Sequence, residues 1–107
     1  MQKVSAAPVF LGQRVSKTIG TIYGPAATDG FVNACEQGAQ YAHLIGYAGT
    51  NANPVLDGVK DRNYVVGTAV LVYANVMFPV LKGEYYLVVT SSITPAEQIM
   101  YFTPLNR

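Results

Sequence analysis

The chain has 107 residues, enough for one domain that buries about two-thirds of the surface its unfolded form exposes, and too few for a second domain. Its net charge of +1, with no basic run, excludes electrostatic capture of nucleic acid or of an acidic membrane surface, and the single cysteine, Cys35, excludes an intrachain disulfide. Half of the residues are apolar and only 12% are charged, against about 25% in ordinary soluble domains, so tyrosine, uncharged polar residues and contact with other subunits must cover much of the surface.

In chain order, Met1 to Lys17 holds no apolar block of signal-peptide length, so no secretory targeting is expected. Val4 to Phe10 reads as a short extended piece whose Pro8 suits an edge, and Gly12 marks a turn. Arg14 to Tyr23 alternates, with Val15, Ile19 and Tyr23 among polar neighbours, as a strand with one wet face does. Gly24-Pro25 and Thr28-Asp29-Gly30 are consecutive turn signals, followed by a strand over Phe31 to Cys35 that Gln37-Gly38 should end. Gln40 to Gly46 fits either a strand or one helical turn, and strand is favoured. Gly49 to Pro54 is loop by composition, and Leu56-Asp57-Gly58-Val59 suits a two-residue hairpin turn because Asp-Gly tolerates positive φ. Lys60-Asp61-Arg62-Asn63 reads as a solvated charge cluster.

Asn63 to Leu81 has the length of a membrane span, flanked by Arg62 and Lys82. Its β-branched residues, the interruptions at Gly67 and Asn75, and Pro79 argue instead for two strands meeting near Ala74-Asn75, with no membrane insertion. Lys82-Gly83-Glu84 then reads as the tight turn of a hairpin between Met77–Leu81 and Tyr85–Thr90. Thr94-Pro95 resets the chain. Ala96 to Met100 is the one place that admits a further helical turn, and Ile99 to Phe102 is the closing strand before Thr103-Pro104.

Eight or nine short strands at spacings near ten residues predict an all-β, antiparallel sandwich of about eight strands. Residues 1–22 supply a lead-in and first strands, and residues 23–107 the sandwich proper, the whole chain forming one domain. In the late strands neither face is polar: Val70, Val72 and Ala74 oppose Ala69, Leu71 and Tyr73, and Tyr85, Leu87 and Val89 oppose Tyr86 and Val88. A strand apolar on both faces is covered on both, so Val70, Leu71, Val72, Tyr73, Tyr85, Tyr86, Leu87 and Val88 are the expected subunit interface of a homo-oligomer.

Three segments carry a family resemblance. Tyr23-Gly24-Pro25-Ala26-Ala27-Thr28-Asp29-Gly30-Phe31-Val32 is similar to the segment that begins many small β-sandwich head domains of bacteriophage fibres. Phe78-Pro79-Val80-Leu81-Lys82-Gly83-Glu84-Tyr85 resembles a later turn of those domains, and Phe102-Thr103-Pro104-Leu105 resembles their close. The resemblance implies a trimeric jelly roll, of the design shared by tumour-necrosis-factor and C1q heads, at the tip of a virion fibre or spike that contacts a host surface. Leu81 stands where the family often has a basic residue, Pro25 precedes the alanines rather than following them, and no repetitive stalk precedes the head. The departures leave two expectations, an excised tip of such a fibre or a free-standing capsid or tail component without an adhesive role.

No catalytic signature is present, and no enzyme or cofactor is expected. Cys35 and His43 are the only candidate nucleophile and base, with no recognisable orienting group. Asp57 and Asp61 with Asn51, Asn53 and Asn63 match no calcium-loop spacing, so no metal is expected. For ligand contact the candidates are Tyr41, His43, Tyr47, Asn51, Asn53, Asp57, Asp61 and Tyr64, which combine ring faces with paired hydrogen-bonding groups, as sugar rings and protein surfaces require.

Overall fold

The computed structural model describes residues 10–106, apart from the side chains of residues 10, 68–70 and 106. Among the described residues it is all-β and antiparallel, with six strands: β1 (Phe10–Leu11), β2 (Val15–Ser16), β3 (Gly30–Gly49), β4 (Val59–Val80), β5 (Tyr85–Thr90) and β6 (Ala96–Asn106). A 3₁₀ turn, Pro54–Asp57, lies between β3 and β4. The extended piece expected over Val4 to Phe10 falls almost wholly outside the described residues.

β3 is the strand that the others share. Its first half pairs with β6 on one side and with Leu71–Val80 of β4 on the other; its second half pairs with Val59–Val66 of β4 and with β5. The strand is doubled over, as its pairings require. Val80 lies opposite Gly30 and Tyr85 opposite Gly49. The five chain steps from Val80 to Tyr85 reach at most about 18 Å, whereas the nineteen from Gly30 to Gly49 would span about 63 Å if straight. The bend falls where the β3–β4 register shifts, between Ala39 and Tyr41. There Gln40 takes a left-handed conformation (φ 68°), and the Tyr41 carbonyl comes so close to Gly38 that any side chain at Gly38 would collide with it. The result is two layers made from one long hairpin, with strands that pass from layer to layer at a bulge.

The strand count differs from the eight or so expected because Gln37-Gly38 and Ala74-Asn75 end nothing. Both sit inside continuous strands, and Gly38 serves close approach rather than termination. Ala96 to Met100 is strand, not helix, and Asn63 to Leu81 lies mostly within β4; among the described residues no helix is long and apolar enough to cross a membrane. Of Arg14 to Tyr23, only Val15–Ser16 is strand, and Tyr23 makes an isolated bridge to Tyr86. Asp57-Gly58 closes the 3₁₀ turn, with Gly58 at φ 96°, instead of forming a two-residue hairpin. Lys82-Gly83-Glu84 does turn the chain, but β4 and β5 do not pair with each other; the turn carries the chain between layers to the opposite end of β3.

Between the layers, even-numbered residues of β3 point inward on both sides of the bend. Val32, Ala34, Ala42, Leu44 and Ala48 meet Ala74, Val76, Phe78 and Val80 of β4, Tyr86 and Val88 of β5, and Met100 and Phe102 of β6. Gly46 sits against the Phe78 ring with no room for a side chain, which lets the layers approach. Tyr23 stacks on Tyr86 (5.6 Å between centroids) and Tyr86 on Phe102 (5.2 Å). Burial pushes the Tyr86 phenol up to about 12.

Both open edges are managed. Residues 12–26 run as a strap from β6 to β5: Gly12 N–H donates to Pro104 O, Lys17 N–H to Met100 O (2.8 Å), Gly20 N–H to Val88 O (2.7 Å), and Tyr23 and Tyr86 exchange backbone bonds. On the opposite edge, Asp61 and Asn63 accept from the backbone N–H groups of Met77 (2.7 Å) and Asn75 (2.7 Å). These two polar side chains thus cap the ladder donors that would otherwise offer an edge for pairing.

The three segments that carry the resemblance meet at one end of the sandwich. Asp29 Oδ1 accepts from Lys82 N–H (2.8 Å), Asp29 O from Leu105 N–H (2.8 Å), and Ala26 exchanges backbone bonds with Gly83 and Glu84. Their role in this fold is to hold that end closed.

Candidate functional site

The strand period decides which candidates can meet. Cross-strand partners share a face, so on the outer side of the second layer Tyr41, His43, Ile45 and Tyr47 of β3 stand beside Arg62, Tyr64 and Val66 of β4 and Leu87 and Val89 of β5. Tyr64 lies directly opposite His43 and is 59% exposed. Its ring meets His43 edge-on at 5.0 Å and Tyr41 at 5.4 Å. Tyr41, His43, Arg62 and Tyr64 line an open groove of about 410 Å³.

The chain leaving β5 continues alongside β3, Ser91 N–H donating to His43 O (3.1 Å). Thr90, Ser91 and Ser92 alternate sides: Ser91 faces the groove, where its carbonyl accepts from the Tyr41 hydroxyl and its Oγ lies 2.8 Å from His43 Nδ1. His43 N–H donates to Ser92 Oγ (2.9 Å). Ser92 and Thr90 hydroxyls in turn donate to Oε2 of Glu36, which is fully buried between the layers, and Gln98 Nε2 donates to Oε1. A buried carboxyl group without a cation is tolerable when it accepts several hydrogen bonds, and Glu36 has three. Tyr41 and His43 are thereby tied through two serines to the interior. His43 Nε2 is enclosed and has no partner among the described residues.

Of the residues expected to contact a ligand, Tyr41, His43 and Tyr64 come together. Tyr47 shares their face, two pairs further along β3. Asn51, Asn53 and Asp57 belong to the β3–β4 connection and hold one another: Asp57 Oδ2 accepts from Asn51 N–H (2.8 Å) and Asn51 Oδ1 from Asn53 N–H (2.8 Å). Asp57 packs over Gly49, six residues from His43 and about 20 Å along the strand. Asp61 points inward and is occupied with the backbone N–H groups of Arg62 and Met77. Arg62 and Ser91 were not among the expected residues. Read with period two, Lys60-Asp61-Arg62-Asn63 splits into an inward pair, Asp61 and Asn63, and an outward Arg62 beside Tyr64, which is the signal that could have found it.

The expected subunit interface also divides. Val72, Tyr86 and Val88 belong to the chain's own core, and Leu87 is 6% exposed within the single chain. Folding β3 and β4 over themselves covers Val72, Tyr86 and Val88 without a second subunit, whereas Leu87 lies beside Tyr47 on the outer face of the second layer. Tyr85 is half-buried, and the Val70 side chain lies outside the described residues. Leu71 (53% exposed) and Tyr73 (51%) do face solvent, on the outer side of the first layer with Met77 and Ile99.

Cys35 is on that first-layer face, paired with Asn75 and Ile99, whereas His43 is on the outer face of the second layer. The two therefore point away from each other. Burial, then Glu97 and Glu36, push the Cys35 thiol up, which disfavours the thiolate. Among the described residues no three His, Cys, Asp or Glu side chains gather as a metal would require. Comparison with family models, curated proteins and solved structures finds no match for this chain.

Proposed function

We propose that the chain is a non-enzymatic binding module, the head of a virion fibre or spike that attaches to a glycan or protein of a host surface through the Tyr41–His43–Arg62–Tyr64 groove. The observation that carries this reading is the groove itself: rings and a guanidinium on a face where solvent would ordinarily select small polar residues. Tyrosines supply flat apolar area at low entropic cost; the hydrogen bond to Ser91 holds Tyr41 in place, and Tyr41 and His43 brace Tyr64 edge-on. A jelly-roll-like homotrimer on the virion surface is the assembly that the three converging motif segments suggest. A glycan array probed with the isolated protein tests the reading. Binding lost on Tyr64→Ala, with the melting temperature unchanged, supports it; host-cell attachment that survives Tyr64→Ala and Tyr41→Ala together overturns it.

A second reading has its own observation. Leu71, Tyr73, Met77 and Ile99 leave an apolar outer face on the first layer, suited to packing in a capsid or tail without any receptor. Under this reading Leu71→Lys with Met77→Lys abolishes assembly as seen by sedimentation, while Tyr64→Ala does nothing to particle infectivity.

A further inference from the structure

From the charge arrangement around the groove we infer that its ligand is an anionic sugar, one whose carboxylate or phosphate pairs with Arg62 while its ring lies against Tyr64. This rests on the groove being the binding site and goes on to the chemistry of what it takes. No residue that β3, β4 and β5 turn outward on this face is acidic, and those around Arg62 are Tyr41, His43, Ile45, Tyr64 and Val89. The acids close by in sequence are turned away: Asp61, next to Arg62, caps the backbone of Met77, and Glu36 is enclosed between the layers. Asp57, over outward-facing Gly49, sits four residues along β3 from Ile45, the partner of Arg62, about 13 Å, and accepts from Asn51 N–H. Exposed Lys60 adds a second cation at the bulge where β4 begins. The exposed guanidinium beside the Tyr64 ring, on a chain with only 12% charged residues, therefore has no acidic strand residue next to it on its own face.

The chemistry of the guanidinium narrows the ligand. Its planar fork matches the two oxygens of a carboxylate or phosphate, an arrangement that an ammonium cannot reproduce. The Tyr64 ring, 59% exposed and braced edge-on by Tyr41 and His43, offers a flat apolar platform of the kind a sugar ring covers with its C–H groups. A purely neutral sugar would use the platform and leave Arg62 idle. A purely anionic peptide would use Arg62 and gain little from the ring.

Calorimetry with the full chain tests this, using a galacturonate hexamer, a hexose phosphate, neutral maltohexaose and hexaglutamate as probes. The expected result is that the uronate or the sugar phosphate binds at least tenfold tighter than maltohexaose, the stronger of the two identifying the anion. The affinity should fall with added salt, drop tenfold or more in Arg62→Gln, and recover only partly in Arg62→Lys. Tyr64→Ala should weaken the acidic sugar as well, with no change in melting temperature for either variant. Equal binding of maltohexaose that is indifferent to Arg62→Gln overturns the anionic ligand while leaving the groove as a sugar site. Equal binding of hexaglutamate overturns the sugar, and binding of none of the four overturns both this inference and the glycan reading beneath it.

Discussion

The two ends of the sandwich are held by different physics. At the end that holds Gly30 and Gly49, the interior is rings: Phe78 against Gly46, and Tyr23, Tyr86 and Phe102 in a stack. At the end where β3 bends, the interior is a carboxyl group with three donors, Glu36 with Thr90, Ser92 and Gln98. Apolar burial stabilises without specifying direction, whereas hydrogen bonds add little net energy but fix positions to within a few tenths of an ångström. The groove sits over the second end, and the difference explains why. A shallow surface site needs its side chains placed, and Ser91 and Ser92 transmit the placement from Glu36 to Tyr41 and His43.

The largest test of this division is Phe78→Ala, which should lower the unfolding free energy by about 3–5 kcal/mol in a denaturant titration. Ligand binding per folded molecule should stay near the parent value. Glu36→Ala should have a smaller effect on stability, about 2–3 kcal/mol, by leaving the half-buried Thr90 and Ser92 hydroxyls and the Gln98 amide without their acceptor. Unlike Phe78→Ala, it should also weaken binding at the groove, and Glu36→Gln should do less of both. A Glu36→Ala protein with intact affinity would break the link between interior and groove.

The ring end should show itself in alkali. Because the Tyr86 phenol is held up near 12 against about 10 when unfolded, its contribution is complete below pH 10. It is lost as pH rises through about 12, to the extent of about 2–3 kcal/mol. Tyr86→Phe should flatten that part of the pH profile. Asp61→Ala should lower stability by about 1 kcal/mol and, by uncovering the Met77 N–H on the edge, raise self-association in light scattering. The smallest effect on stability belongs to Arg62→Gln, within about 0.5 kcal/mol by thermal melting, because its side chain is exposed.

Much of this was legible in the chain. Alternation and β-branched content place β4, β5 and most of β3 as strand, and the Lys82-Gly83-Glu84 turn lies where the glycine and charges put it. Tyr41, His43 and Tyr64 could be nominated as ring-bearing polar residues. Their meeting could not, since it depends on the register that sets Tyr64 opposite His43, and Arg62 was hidden inside what reads as a solvated charge cluster. Glu36 gives no sign in sequence of being fully buried, because its three donors come from residues 90, 92 and 98, more than fifty positions away.

By itself the sequence determined the all-β, antiparallel character, because a period of two and β-branched content act within a few neighbouring residues. Only the tertiary structure decided that Gly38 bends a strand rather than ending it, that β5 pairs with β3 rather than with β4, and that Val72, Tyr86 and Val88 are core rather than interface. The physical reason is the same in each case. A glycine permits both a chain stop and a close backbone approach, and an apolar face requires only that something cover it; the choice belongs to contacts between residues far apart in the chain.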